Sequence, residues 1–134
     1  MCDSSEKIKQ NPNSLKSVAD LIFNYLYNLI YKPSAASLDI ESLPPDFQET
    51  ARGLVFLGTS ITETREFGKE LAIGNLNCQP PPPTNEIAST LKMLHSSLKH
   101  LTWQTQQVAK GDYNQRVDFM GDFAASFNNM IEQL

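Results

Sequence analysis

The chain is short of cysteine. Cys2 and Cys78 are the only two, far apart and without a CxxC pair or a nearby histidine at metal-ligand spacing. That pattern excludes a disulfide framework and a zinc site, and it fits two reduced thiols in a cytoplasmic protein. Long apolar runs are missing as well. The most apolar stretch, Leu21 to Tyr31, is interrupted by Asn24 and Asn28, and it has about half the length of a bilayer-spanning helix. It reads as a buried helix, so no membrane span is expected. Met1 to Ser14 is polar and lacks the apolar core of a secretory signal. With a formal net charge of -4 and no block of Lys and Arg, nucleic acid is excluded as a partner. There is no phosphate loop, no nucleophile elbow and no kinase or cyclase motif. Neither an enzyme nor a cofactor or metal site is expected.

What the chain does have is helical periodicity. Residues 1–13 read as a disordered leader of Ser, Lys, Asn and Asp. Ser14 is placed to cap a helix running to about Tyr31, with Val18, Leu21, Ile22, Tyr25, Leu29 and Ile30 on a broad apolar face. Pro33 ends it, because a proline disfavours helix in the residue before it. A connector closed by Pro44-Pro45 leads to a helix from near Asp46 to about Ile73, with Leu54, Leu57, Ile61, Thr64, Gly68 and Leu71 on one seam. Gly74 stops that helix, a tetraproline connector follows, and a long helix opens at Asn85.

In this last helix Ile87, Leu91, Leu94, Leu98, Leu101, Thr105 and Val108 step by four and three, the seam of a bundle or coiled coil. Gly111 breaks the helix, and Asp112 and Asn114 suit the turn beyond it. The connector from Asp112 to Val117 carries two apolar anchors, Tyr113 and Val117. A final helix is expected to open near Asp118, with Met120, Phe123, Phe127, Met130 and Leu134 on its seam.

At these residues the chain resembles a HAMP domain, the signal-relay module of bacterial sensor kinases, chemoreceptors and cyclases. Gly111, Tyr113 and Val117 match the family's glycine and its two spaced anchors. Asp118-Phe119-Met120-Gly121 matches the Asp-Glu-x-Gly start of the second helix, with Phe119 in place of glutamate, and Phe127-Asn128-Asn129-Met130 matches a run common in that helix. The connector is several residues shorter than the family's. The resemblance implies a parallel four-helix bundle built by a homodimer, whose core would take Leu98, Leu101, Thr105, Val108, Met120, Phe123, Phe127 and Met130. It also implies a partner in the output domain of a parent protein, of histidine kinase or diguanylate cyclase type, beyond Leu134.

A shift of 37 places lays Pro44-Pro45 on Pro81-Pro82, Leu54 and Leu57 on Leu91 and Leu94, and Gly74 on Gly111. Residues 47–98 therefore read as an earlier, degenerate HAMP-like unit before the unit at 98–134. Residues 14–46 form an N-terminal helix and connector, and whether they are a third copy stays open. The fold expected is all-α, with tandem helix–connector–helix units. The function expected is a relay of helix packing from an N-terminal input to a C-terminal output; the alternative is a free-standing helical adaptor that binds a protein through the face around Trp103. His95 and His100 lack the acidic residue and proline that follow a kinase phosphoacceptor, and a five-residue step sets them about 140° apart on the helix, so both read as solvent-facing. The prolines from Pro80 to Pro83 read as a stiff spacer. Thr64, Gly68 and Thr105 are small or polar layers in an otherwise apolar seam.

Overall fold

A computed structural model describes residues 14–134; the expected leader at 1–13, with Cys2, lies outside the described residues. The class is all-α, with four α-helices, short 3-10 turns and no strand among the described residues. The helices are α1 (Leu15–Tyr31), α2 (Pro45–Ala72), α3 (Ser89–Ala109) and α4 (Gly121–Glu132). None is long and apolar enough to cross a membrane. The chain divides into two compact units, Met1–Thr62 and Glu63–Leu134, with the division inside α2.

In the first unit, Ser14 caps α1 by accepting the Ser17 N–H at 3.1 Å. Lys32, before Pro33, has left helical geometry (φ -140°), as a proline demands of its predecessor. The chain returns through two 3-10 turns and packs Leu38, Ile40 and Leu43 near Val18, where Ala51 and Phe47 of α2 close the cluster. Farther along, Tyr25 reaches α2 at Leu54 and Gly58, and Leu29 also meets Gly58. A Cβ on Gly58 would collide with the Tyr25 hydroxyl, so glycine is what lets the ring lie against the helix. Early α1 thus meets early α2, and late α1 meets later α2. The two helices run parallel, with the connector climbing back between their starts.

The second unit repeats this order twice. Both α2 and α3 end in a glycine with positive φ, Gly74 at 79° and Gly111 at 95°. At each end the glycine N–H and the one after it bond back across the last turn: Gly74 to Leu71 and Asn75 to Glu70, then Gly111 to Val108 and Asp112 to Gln107. This paired pattern satisfies the orphan carbonyls of a helix end and requires the left-handed residue that glycine supplies. The two ends are 37 residues apart and share this bonding pattern. Along α2 and α3, Asn85 meets Glu63 and Thr64, Leu91 lies beside Gly68, and His95 packs edge-on against Phe67. Along α3 and its own connector, Gln104 meets Arg116 and His100 meets Phe119, so this connector climbs back up α3. Asn128 of α4 then comes down beside Val117. α2 with α3, and α3 with α4, are therefore parallel pairs.

Two expectations are corrected. α4 begins at Gly121 rather than near Asp118, because Met120 (φ 70°) and Gly121 (φ 51°) are both left-handed and a right-handed helix cannot pass through them. The helix expected from Asn85 opens with a 3-10 turn, Glu86–Ala88, before α3 proper. There Asn85 serves as the cap, accepting the Ala88 N–H at 3.2 Å.

Candidate functional site

The densest set of specific contacts surrounds the connector between α3 and α4. Gly111 frees the chain from α3, and Asp112 accepts the Asn114 N–H at 3.1 Å to close a tight turn. That turn puts Tyr113 at its corner, where the ring is 51% exposed. The expected pair of buried anchors is therefore reduced to one. Val117 is 3% exposed and packs with Ala124, Phe127 and Ile131 of α4, flanked by Leu101, Val108 and Phe119.

Side-chain amides hold the backbone on both sides of this anchor. Gln104 Nε2 donates to the Arg116 carbonyl at 2.7 Å. Asn128 pairs with Val117 at both ends of its amide: the Val117 N–H donates to Oδ1 at 2.9 Å, and Nδ2 donates to the Val117 carbonyl at 2.8 Å. An amide side chain presents a donor and an acceptor side by side, as a neighbouring strand would, so Asn128 satisfies both groups of a residue in no strand or helix. Gln104 does less well. It is 4% exposed, and its Oε1 is buried without a partner. Arg116 turns its guanidinium back to the Gln115 carbonyl and stands 4.0 Å from Glu132.

The other expected site residues fall on several faces. Asp118 and Gly121 are exposed, and Met120 is half-buried. Leu98, Leu101 and Val108 are half-buried in the single chain, while Thr105 is exposed and donates its hydroxyl to the Leu101 carbonyl at 2.9 Å. On α4, Phe127 is buried within its own chain; Phe123 stacks on it yet stays exposed, as do Met130 and Leu134. The intrachain face of α4 is thus Ala124, Phe127 and Ile131, rotated from the expected seam and sharing only Phe127 with it.

The connector before α3 is held in a related way. His95 Nε2 lies 2.7 Å from the Leu76 carbonyl, and its ring is buried against Phe67. Solvent exposure was expected of it; the carbonyl and the ring edge account for its burial. His100 is exposed, as expected, and stacks on Trp103. Thr64 belongs to a small polar network, since Asn85 Nδ2 donates to its hydroxyl and to Glu63. A shallow cavity of about 300 Å³ beside this connector is lined by Glu63, Glu66, Glu70 and Cys78 among others. Glu66 is bonded to Lys69 and Glu70 to Asn75 there, and no metal-holding group of His, Cys, Asp or Glu occurs among the described residues.

Gln104, Asn128, His95 and Asn85 carry these contacts, and none of them lies among the residues the sequence pattern marks as a site. For Gln104 a signal existed: Leu101, Gln104 and Val108 step by three and four, a polar residue in an otherwise apolar stripe. No family model, curated protein or solved structure matches this chain.

Proposed function

We propose that the chain is a signal-relay module of HAMP type, working as a parallel homodimer. It passes a change in helix packing from an N-terminal input to an output domain of histidine kinase or diguanylate cyclase type. The observation that carries this reading is the parallel order of α3 and α4, with a left-handed glycine stop, a returning connector and one buried anchor between them. A second feature supports the dimer. Leu94, Phe123, Met130 and Leu134 remain exposed in one chain, although each belongs to a three-four apolar spacing. Two copies would set these stripes face to face as a four-helix bundle. An input that favours one packing over another then shifts the population, and with it the geometry at which α4 leaves the bundle.

The test is orientation-specific cross-linking joined to sedimentation. With Cys2 and Cys78 replaced by serine, Leu98→Cys should form a disulfide between two copies, because a parallel symmetric dimer sets residue 98 opposite itself. The wild-type chain should sediment as a dimer at micromolar concentration. A monomer with intact helices, or a dimer in which Leu98→Cys never cross-links, removes the reading.

A further inference from the structure

α3 is a positively charged helix in an acidic protein. The whole chain carries a net charge of -4, yet Ser89–Ala109 contains Lys92 and Lys99 and no Asp or Glu, with Lys110 directly after it. Its charges are not scattered. Lys92, Ser96, Lys99, Trp103, Gln106 and Lys110 step by four, three, four, three and four, so they form one stripe along the helix. At about 100° per residue this stripe lies roughly 160° around α3 from the seam of Leu94, Leu98, Leu101, Thr105 and Val108. It is therefore separate from the face that the dimer would use. All its members are exposed except Lys92, which is half-buried and donates Nζ to the Pro82 carbonyl at 3.0 Å. None of the three lysines has an ion-pair partner among the described residues.

The aromatic residue in this stripe stacks on a neighbour of its own helix. Trp103 is 50% exposed, and its ring stacks on His100 at 5.8 Å with an interplanar angle of 15°. His100 in turn lies 5.4 Å from Phe119 of the connector. A tryptophan stacked on one side and open on the other offers a large amphipathic ring to a partner, as interface anchors do.

We infer that this stripe of α3 is a docking face for an acidic helix of a partner protein, with carboxylates opposite Lys92, Lys99 and Lys110 and an apolar side chain against Trp103. The spacing favours a helix, because a heptad-like stripe presents its side chains in the register at which a second helix packs. The charge favours an acidic one, since three ammonium groups on one face, without an ion pair among the described residues, repel a basic partner and steer an acidic one. The same chemistry fits an anionic membrane or nucleic acid less well. A single aromatic ring gives little to insert among lipids, and the net negative charge of the chain opposes a polyanion over any larger contact. This inference does not rest on the relay reading and stands or falls separately from it.

The experiment uses the full chain and a fluorescein-labelled acidic peptide of about three heptads, with Glu at the positions facing the three lysines and Leu at the position facing Trp103. A control peptide of the same composition spreads the glutamates around the helix. Saturable binding of the first peptide is expected by anisotropy, weaker by about tenfold or more for Trp103→Ala and for Lys99→Glu with Lys110→Glu, and largely restored by Trp103→Phe. It should also weaken steeply as salt rises toward about 0.5 M. Circular dichroism on each variant keeps loss of folding separate from loss of binding. Absence of saturable binding, equal binding of the two peptides, or variants that bind as wild type would overturn the inference. So would a preference for phosphatidylserine vesicles or duplex DNA over the peptide.

Discussion

At the scale of single residues, two amides that perform the same task differ in quality. Asn128 satisfies a donor and an acceptor of Val117 while satisfying both of its own polar ends. Gln104 makes one bond and buries an oxygen without a partner, a loss of about 1–3 kcal/mol for such a group. Asn128→Ala should therefore lower stability by about 1–3 kcal/mol, because it leaves the buried Val117 N–H and carbonyl unpaired. Gln104→Met should be close to neutral, since the lost bond to Arg116 is offset by removal of the orphan oxygen. Urea unfolding of the two variants checks this. Equal losses would mean that the Gln104 bond is worth as much as both Asn128 bonds. Tyr25 gives a prediction in pH. Burial raises its pKa above the ordinary 10.0, since desolvation penalises the phenolate. The unfolded chain releases this proton first, so the stabilisation is complete below about pH 10 and is lost as pH rises through the folded-state value. Urea midpoints for the wild type should fall in that window, and Tyr25→Phe should flatten the fall.

At the scale of elements, the anchors divide into one that packs and one that does not. Val117→Ala should cost about 2–3 kcal/mol, the transfer of its methyl groups plus the cavity left among Ala124, Phe127 and Ile131. Tyr113→Ala should cost well under about 1 kcal/mol, because half of the ring is already in water. Thermal unfolding of the pair tests whether the connector hangs on a single point. The division also marks how far the sequence could be read. Helix spans followed from period and punctuation: Ser14, Pro33, Gly74 and Gly111 lie where α1, α2 and α3 begin or end. The start of α4 did not, because Asp118 is a good cap by type, whereas the decisive feature is the left-handed pair Met120-Gly121. Nor did the burial of His95 and Gln104 or the pairing of Asn128 with Val117, since the carbonyls they meet belong to connectors whose path no periodicity describes. Whether residues 14–46 repeat the later units is equally illegible in the sequence. Their connector has no glycine stop, shares only its closing prolines with the connector before α3, and shares no pattern with the one before α4.

At the scale of the whole molecule, the relay reading requires two packings close in energy, and Thr105 is the position at which to bias them. Its hydroxyl is already bonded within α3, to the Leu101 carbonyl, so it makes no demand on a partner helix. Its side chain is exposed in one chain while Leu98, Leu101 and Val108 beside it are half-buried. In a dimer that position becomes a small polar layer between larger apolar ones, tolerant of more than one helix rotation. Thr105→Leu would add apolar area only in the packing that closes around residue 105, a gain of about 1.5–3 kcal/mol. A signal of ordinary strength is worth about 1–3 kcal/mol of differential affinity, so the substitution should rival it and hold the module in one state. In the full chain fused to a diguanylate cyclase domain, Thr105→Leu should move basal product formation several-fold, in one direction, and steepen the dependence of dimer stability on this layer. Thr105→Ser, which keeps the hydroxyl and removes a methyl, should move basal activity little. If Thr105→Leu stabilises the dimer and leaves basal activity at the wild-type level, the layer serves packing alone. The switch would then have to lie elsewhere in the bundle, first at the Gln104 contact with the connector.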